Sequence, residues 1–248
     1  MPTIAYQLYC SRNFPPLGDT LSMLSRLGYS YVEGYGGLYD DAAGLRAQLD
    51  ATGLQMPTGH FGLNMVEGDP ARAIEVAKTL GIKHVLVPHI AQDLRPTDTA
   101  GWRAFGARLA KAGQPIIDAG LNFGWHNHDF ELVAGADGVM PLDAMMEGGP
   151  SLSLELDLGW VQRAGQSPAA WIDKYADRLV AVHIKDIAPA GECLDEDGWA
   201  DVGHGTMDWA SITAALAAAN VTHFVIEHDN PNDDERFARR SLATATKF

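Results

Sequence analysis

Short apolar, β-branched runs alternate with amphipathic stretches along the whole chain. The runs are Thr3–Tyr9, Tyr29–Glu33, Leu54–His60, His84–His89, Leu121–His126, Ser153–Asp157, Leu179–Lys185 and His223–Glu227. Each ends at a polar residue or at a Gly/Pro cluster, the signature of a strand. Between them, Asp19–Leu27 carries Leu21, Leu24 and Leu27 at helical spacing and stops at Gly28. Asp41–Ala51 stops at Gly53, Asp69–Leu80 at Gly81 and Thr97–Ala119 at Gly120. Gly just past the last helical residue, with Asp, Ser or Thr near the first, marks the two ends of a helix. The same signals predict helices over Leu142–Met146, Ser167–Tyr175, Asp208–Ala219 and Asp233–Thr246. Strict alternation implies parallel strands joined by right-handed crossovers. Eight such units in 248 residues predict an α/β fold, a single (β/α)8 TIM barrel spanning 1–248. The segment after the first strand, Tyr9-Cys10-Ser11-Arg12-Asn13-Phe14, lacks the Gly-rich fingerprint of a dinucleotide-binding sheet.

Composition narrows the function classes. With 46% hydrophobic and 20% charged residues the chain can bury a sizeable core and remain soluble. A formal net charge of −14 disfavours nucleic acid and anionic membrane surfaces as partners. No apolar run approaches the roughly 20 residues that span a bilayer, and Met1–Tyr6 carries no basic region followed by an apolar run. Cys10 and Cys193 make neither a disulfide framework nor a zinc knuckle. The expectation is a cytoplasmic enzyme whose partner is a small molecule.

Function in such a barrel sits at the C-terminal ends of the strands. Here those positions are acidic and rich in histidine. Strand 2 ends in Glu33, strand 3 in His60 and strand 4 in His89, and strand 5 runs into Trp125-His126-Asn127-His128-Asp129-Phe130-Glu131. Strand 6 carries Glu155 and Asp157, two apart and so on one side; strand 7 carries His183 and Lys185, and strand 8 carries Glu227. A mixed oxygen and nitrogen set without thiolates suits one divalent ion, Mn, Mg, Co or Zn, able to bind vicinal oxygens of a polyol. Taken singly, each residue also has a structural reading as a cap or a packed, hydrogen-bonded group.

At these residues the sequence resembles the sugar phosphate isomerase/epimerase family, the xylose-isomerase-like barrels. Trp125–Glu131 is similar to that family's Tyr-His-Asn-His-Asp-Phe-Glu, with Trp in place of Tyr. Glu155-Leu156-Asp157-Leu158-Gly159-Trp160 resembles its Glu-Leu-Asp-Val-Tyr-Trp, and His183-Ile184-Lys185-Asp186 its His-Leu-Lys-Asp. Val202-Gly203-His204-Gly205-Thr206-Met207-Asp208-Trp209 resembles its Val-Gly-Glu-Gly-Thr-Val-Asp-Trp, with His204 in place of Glu. Val225-Ile226-Glu227-His228-Asp229 is similar to its Val-Glu-Gln-Asp.

The resemblance implies a metal held by Glu131, Asp157, His183 and Glu227, with His126 and His128 as other candidates for the first ligand. It implies α-proton removal from a small keto-sugar, with Glu227 as base, Glu131 as its counterpart on the opposite face, and Lys185 stabilising the enediolate charge. Glu33, His60, His89, His126, His128 and Trp160 are the expected sugar contacts. Epimerisation or isomerisation is the leading expectation; elimination of a β-oxygen from a 3-keto-glycoside or keto-inositol is the alternative. An endonuclease IV-like phosphodiesterase needs a basic surface, and a binding-only barrel has no reason to carry the full acid–base set. Gly203–Thr206, ahead of a helix, is a candidate anion site or a plain turn. The family resemblance also allows a homo-oligomer.

Overall fold

The computed structural model describes residues 2–248. In chain order its elements are β1 (Thr3–Gln7), α1 (Leu17–Leu27), β2 (Tyr31–Gly34), α2 (Ala42–Thr52), β3 (Gln55–His60), α3 (Leu63–Gly68), α4 (Pro70–Leu80), β4 (His84–Val87), α5 (Thr99–Asp118) and β5 (Asn122–His126). They continue as α6 (Pro141–Gly148), β6 (Ser153–Asp157), α7 (Leu158–Arg163), α8 (Pro168–Lys174), β7 (Leu179–Ile184), β8 (Asp186–Ile187), β9 (Trp199–Ala200), α9 (Trp209–Ala218), β10 (His223–Ile226) and α10 (Asp234–Ala245). Strands β1 to β7 and β10 pair in parallel around a closed barrel, β1 meeting β10. The fold is the expected TIM barrel.

The local reasons are those read from the sequence. Asp41, Asp69, Asp208 and Asp233 each accept the N–H three residues on and start a helix. Gly28, Gly53 and Gly81 close α1, α2 and α4 in the left-handed conformation. Three details differ from expectation. β1 stops at Gln7 because Leu8–Ser11 winds into a 3-10 turn capped by the Gln7 side chain. β4 stops at Val87, before Pro88, which has no N–H for the ladder, so His89 lies on a loop. After β7 the chain makes an antiparallel hairpin, β8 with β9.

Apolar residues divide by face. The main core lies between strands and helices, while Ala5, Ala181 and Val225, with Tyr31 against them, form a separate small cluster. These residues share inward parity with Gln7, His183 and Glu227, so they plug the barrel axis beneath a polar upper interior. That interior comprises Gln7, Glu33, His60, His126, Glu155, Asp157, His183, Lys185 and Glu227, all buried. A barrel usually fills these positions with branched apolar residues. Burying so many ionisable groups is costly unless they are paired or bind a cation. Among the described residues no helix is long and apolar enough to cross a membrane.

Candidate active site and metal centre

The inward groups form two tiers. In the lower tier, Glu155 Oε2 lies 2.7 Å from His60 Nε2, 3.1 Å from His126 Nδ1 and 3.2 Å from His183 Nε2. Glu33 Oε1 accepts from Gln7 Nε2 at 2.7 Å and lies 2.8 Å from His183 Nε2 and 3.2 Å from His60 Nε2. In the upper tier, His183 Nδ1 lies 3.1 Å from Glu227 Oε2 and 3.9 Å from Asp157 Oδ2, and Lys185 Nζ donates to Glu227 Oε2 at 3.1 Å and to Asp229 Oδ2 at 2.7 Å.

Ligand atoms converge in two groups, His60/His126/Glu155/His183 and His126/Asp157/His183/Glu227, which share two histidines. The upper group is the better fit to an ion. Two ligands of one ion at about 2.0–2.2 Å sit roughly 3 Å or more apart, whereas His60 and Glu155 are at hydrogen-bond distance, 2.7 Å. In the upper group Asp157 Oδ1 caps α7 through the Trp160 N–H, and its buried Oδ2 has no hydrogen-bond partner. With Nδ1 of His126 on Glu155, Nε2 is the nitrogen left for the upper group. The donor set of two imidazoles and two carboxylates suits a divalent transition ion better than Mg.

Charge balance tells the same story. Burial opposes a charge on His183, but Glu155, Glu33 and Glu227 outweigh it and hold the ring protonated, well above the usual histidine range. Burial likewise works against the Lys185 ammonium, and Asp229, Glu227 and Asp157 overcome it and raise its pKa. Burial pushes Asp157 up to about 7 and, with His183 nearby, His126 down to about 3. A proton on His183 and the Lys185 ammonium supply the positive charge the carboxylates require when no ion is bound. Gly159 makes room for that lysine, since a Cβ there would stand 2.8 Å from Lys185 Cβ. Trp160 and Trp199 lie 4.8 and 4.3 Å from its Nζ.

A cleft of about 480 Å³ opens above the upper tier, lined by Tyr9, Tyr35, His60, His89, His126, His128, Glu227 and Asp229 among others. A larger hollow of about 660 Å³ lies to one side, around Trp102, Phe130 and Val133, and holds none of the clustered groups. Of the expected sugar contacts, His60, His89, His126 and His128 line the cleft. His128 is forced well below the usual histidine range by burial and by His126, so it is neutral, and its buried Nδ1 is unpartnered.

Three expectations are corrected. Glu131 falls outside both ligand-atom groups and does not line the cleft: it is fully buried, with Oε1 accepting from Trp125 Nε1 and Oε2 from the His128 N–H, both at 2.9 Å. Its carboxyl, pushed up to about 8 by burial, pins the loop that presents His128, and His126 takes its expected place in the ligand group. Glu33 is fully buried in the lower tier and does not line the cleft. Trp160 does not line the cleft either; it packs on His128, Trp199 and Lys185.

The Gly203–Thr206 turn is also settled as structure. Asp186, fully buried, accepts from the N–H groups of Ile187, Gly203, Gly205 and Met207 and from Trp209 Nε1, at 2.8–3.1 Å. Those amides face an internal carboxylate, so they are not open to an external anion, and a Cβ on Gly205 would stand 2.3 Å from Asp186 Oδ1. Asp186→Ala is expected to lower stability by about 3–5 kcal/mol, since it strands several buried donors at once. A shift of the urea midpoint measures it; a loss below about 1 kcal/mol means the turn holds itself.

The sequence reading gave no role to Glu155, Gln7, Asp229, Tyr9 or Tyr35. Strand parity with Asp157 was the available signal for Glu155. Tyr9 and Tyr35 reach the cleft from irregular loops, where no periodicity points.

Comparisons with known proteins show what the chain is similar to. The chain is 28% identical over 191 residues to the rhizopine catabolism protein MocC of Rhizobium meliloti, covering 69% of this chain and 58% of that protein. It is 27% identical over 208 residues to the inosose dehydratase of Geobacillus kaustophilus, covering 71% of this chain and 65% of the enzyme. It therefore spans about three fifths of the length of those relatives. Among solved structures, a sugar phosphate isomerase/epimerase from Parabacteroides distasonis superposes with a TM-score of 0.81 at 18% identity, covering 98% of this chain and 92% of that one. The zinc-bound IolI protein superposes at 0.77 and 16% identity, covering 100% and 97%. The E. coli 3-keto-D-glucoside 4-epimerase YcjR superposes at 0.74 and 18%, covering all of both chains. Residues 21–247 match the family described as the xylose isomerase-like TIM barrel, and the chain belongs to that family.

Proposed function

We propose that this chain is a divalent-metal-dependent isomerase or epimerase that removes the proton next to the carbonyl of a small, uncharged keto-sugar. The observation that carries the reading is the convergence of His126, Asp157, His183 and Glu227 beneath an open cleft, with one Asp157 oxygen buried and unpartnered. These four residues would hold the ion. When bound, it acts as a Lewis acid for the negative charge that develops on the carbonyl oxygen.

The chain's own residues do the rest. Glu227 stays ionised: burial disfavours its charge, but Lys185 and His183 more than compensate. Its carboxylate borders the cleft and takes the α-proton. Lys185 orients Glu227 and Asp229 and places a fixed positive charge below the reacting face. His128, neutral, lines the cleft as the hydrogen-bond partner for a substrate hydroxyl. His60 and His89 form the wall, and Tyr9 and Tyr35 meet edge to face, 5.3 Å apart, across its rim. With −14 net charge and the Gly203 and Gly205 amides occupied by Asp186, the chain offers a phosphate little.

Elimination of a β-oxygen is the second reading. Glu131 is held away from the cleft, whose carboxylates among the described residues, Glu227 and Asp229, both follow β10, and the names of two similar proteins refer to rhizopine catabolism and inosose dehydration. Glu227, carrying the proton taken in the first step, can hand it to a leaving hydroxyl as readily as return it to carbon.

Both readings start with the same proton, and one experiment tests them. Protein stripped with chelator and reloaded with Mn, Co, Zn or Mg is incubated in D2O with ketoses, inososes and 3-keto-glucosides. Deuterium uptake at the α-carbon, present only with metal, is the expected result. NMR of the product separates an epimer or isomer from an enone. No exchange in any substrate with any metal removes the proposal.

A further inference from the structure

We infer that Glu155 is a positioning residue: it fixes which nitrogen of His126 and of His183 is presented to the metal, and so sets metal affinity without touching substrate. The inference rests on the proposed metal reading of the upper tier.

One oxygen of Glu155 meets ring nitrogens from three different strands, His60 on β3, His126 on β5 and His183 on β7, at 2.7, 3.1 and 3.2 Å. A carboxylate oxygen can only accept, so each of those nitrogens carries the hydrogen. The second oxygen, Oε1, is buried and has no partner, which puts the whole hydrogen-bonding capacity of the side chain on the ring-facing side. For His126 the consequence is a hydrogen on Nδ1 and a lone pair on Nε2. For His183 it is Nε2 that faces the lower carboxylates, Glu33 Oε1 at 2.8 Å and Glu155 Oε2 at 3.2 Å, so Nδ1, toward Glu227 and Asp157, is the nitrogen whose proton an ion would displace.

Glu155 thus holds the Nδ1–H of His126 alone and shares the Nε2–H of His183 with Glu33, turning the opposite nitrogen of each ring toward the upper group. Metal-bound imidazoles characteristically donate their other N–H to a carboxylate, and losing that partner costs about 10–100-fold in metal affinity or activity. Glu155 is fully buried and does not line the cleft, so it acts through the rings alone.

The test is the affinity of the full chain for Co2+ alone, read from the visible absorption of the bound ion in competition with a chromophoric chelator. Wild type, Glu155→Gln and Glu33→Gln are compared, together with the melting temperature of each without metal. Expected is a 10–100-fold weaker Co2+ affinity in Glu155→Gln and a smaller loss in Glu33→Gln, with turnover largely restored at saturating metal. Unchanged affinity in Glu155→Gln overturns the inference, as does a lower melting temperature with affinity intact, which a merely structural role produces. If Glu155→Gln fails to fold, Glu33→Gln decides, because it acts on His183 Nε2 in the same way. A wild type that takes up no Co2+ brings down the metal reading itself and is distinguishable from both outcomes.

Discussion

Glu227→Gln is expected to lower kcat by about 10²–10⁴-fold when metal is kept saturating. Glutamine still turns an oxygen toward the ligand group, so binding of ion and sugar suffers far less than turnover, and a sugar Kd within about tenfold of wild type is the companion result. The same amide oxygen can still accept from Lys185 Nζ, as Glu227 Oε2 does at 3.1 Å, but without its charge, which leaves Asp229 as the lysine's nearest anionic partner. Single-turnover deuterium exchange is the decisive measurement, because it reports proton removal whether the enolate goes on to an epimer or to an enone. A kcat close to wild type transfers the role of base to Asp229. That carboxyl also lines the cleft, and burial raises its pKa, so Asp229→Asn is the variant to make next.

How far the site was legible in the sequence follows from where each residue lies. Period-two parity within a strand is a strong rule, and Glu155/Asp157 and His183/Lys185 all point inward as it requires. Parity does not report height along the barrel axis. Glu33 and Glu155 therefore read like rim residues, although the stagger of the strands sets them one tier below, under the histidines. The loop after β5 defeats the rule in another way. Within seven residues, Trp125–Glu131, it offers three potential ligands, and spacing alone does not rank them. What ranks them is the indole N–H of Trp125, which sits 2.9 Å from Glu131 and ties that carboxyl to the loop's own scaffold. Asn127 does related work: its Oδ1 accepts the Asp157 N–H at 2.9 Å and joins the ends of β5 and β6. The Asp186 motif was visible as sequence, but its purpose depends on amides seventeen to twenty-one residues downstream, which only the folded hairpin brings back.

The polar interior has a thermodynamic consequence, and Asp157→Asn should expose it. Burial pushes the Asp157 carboxyl from 3.8 up to about 7, despite the attraction of Lys185. Between those pH values the folded chain holds a proton that the unfolded chain has released. Stability from this group is therefore lost as pH rises from about 4 to about 7, and stays lost above. Asparagine keeps an oxygen for the Trp160 N–H at the start of α7 and removes the buried charge. Without metal, the variant is expected to gain roughly 1–4 kcal/mol over wild type as pH rises through that window. With metal the order reverses. An ion at 1,000 times its Kd stabilises wild type by about 4.1 kcal/mol, while the variant, deprived of its anionic ligand, gains little and turns over no substrate. Urea unfolding at pH 5 and pH 8, with chelator and with Zn or Mn, measures all four corners. A metal-free variant less stable than wild type at pH 8 means that the Lys185 ion pair outweighs burial. Equal stabilisation of both proteins by metal means that Asp157 is not a ligand. The expected crossing identifies Asp157 as a residue whose charge is tolerated in the fold for the sake of the ion it binds.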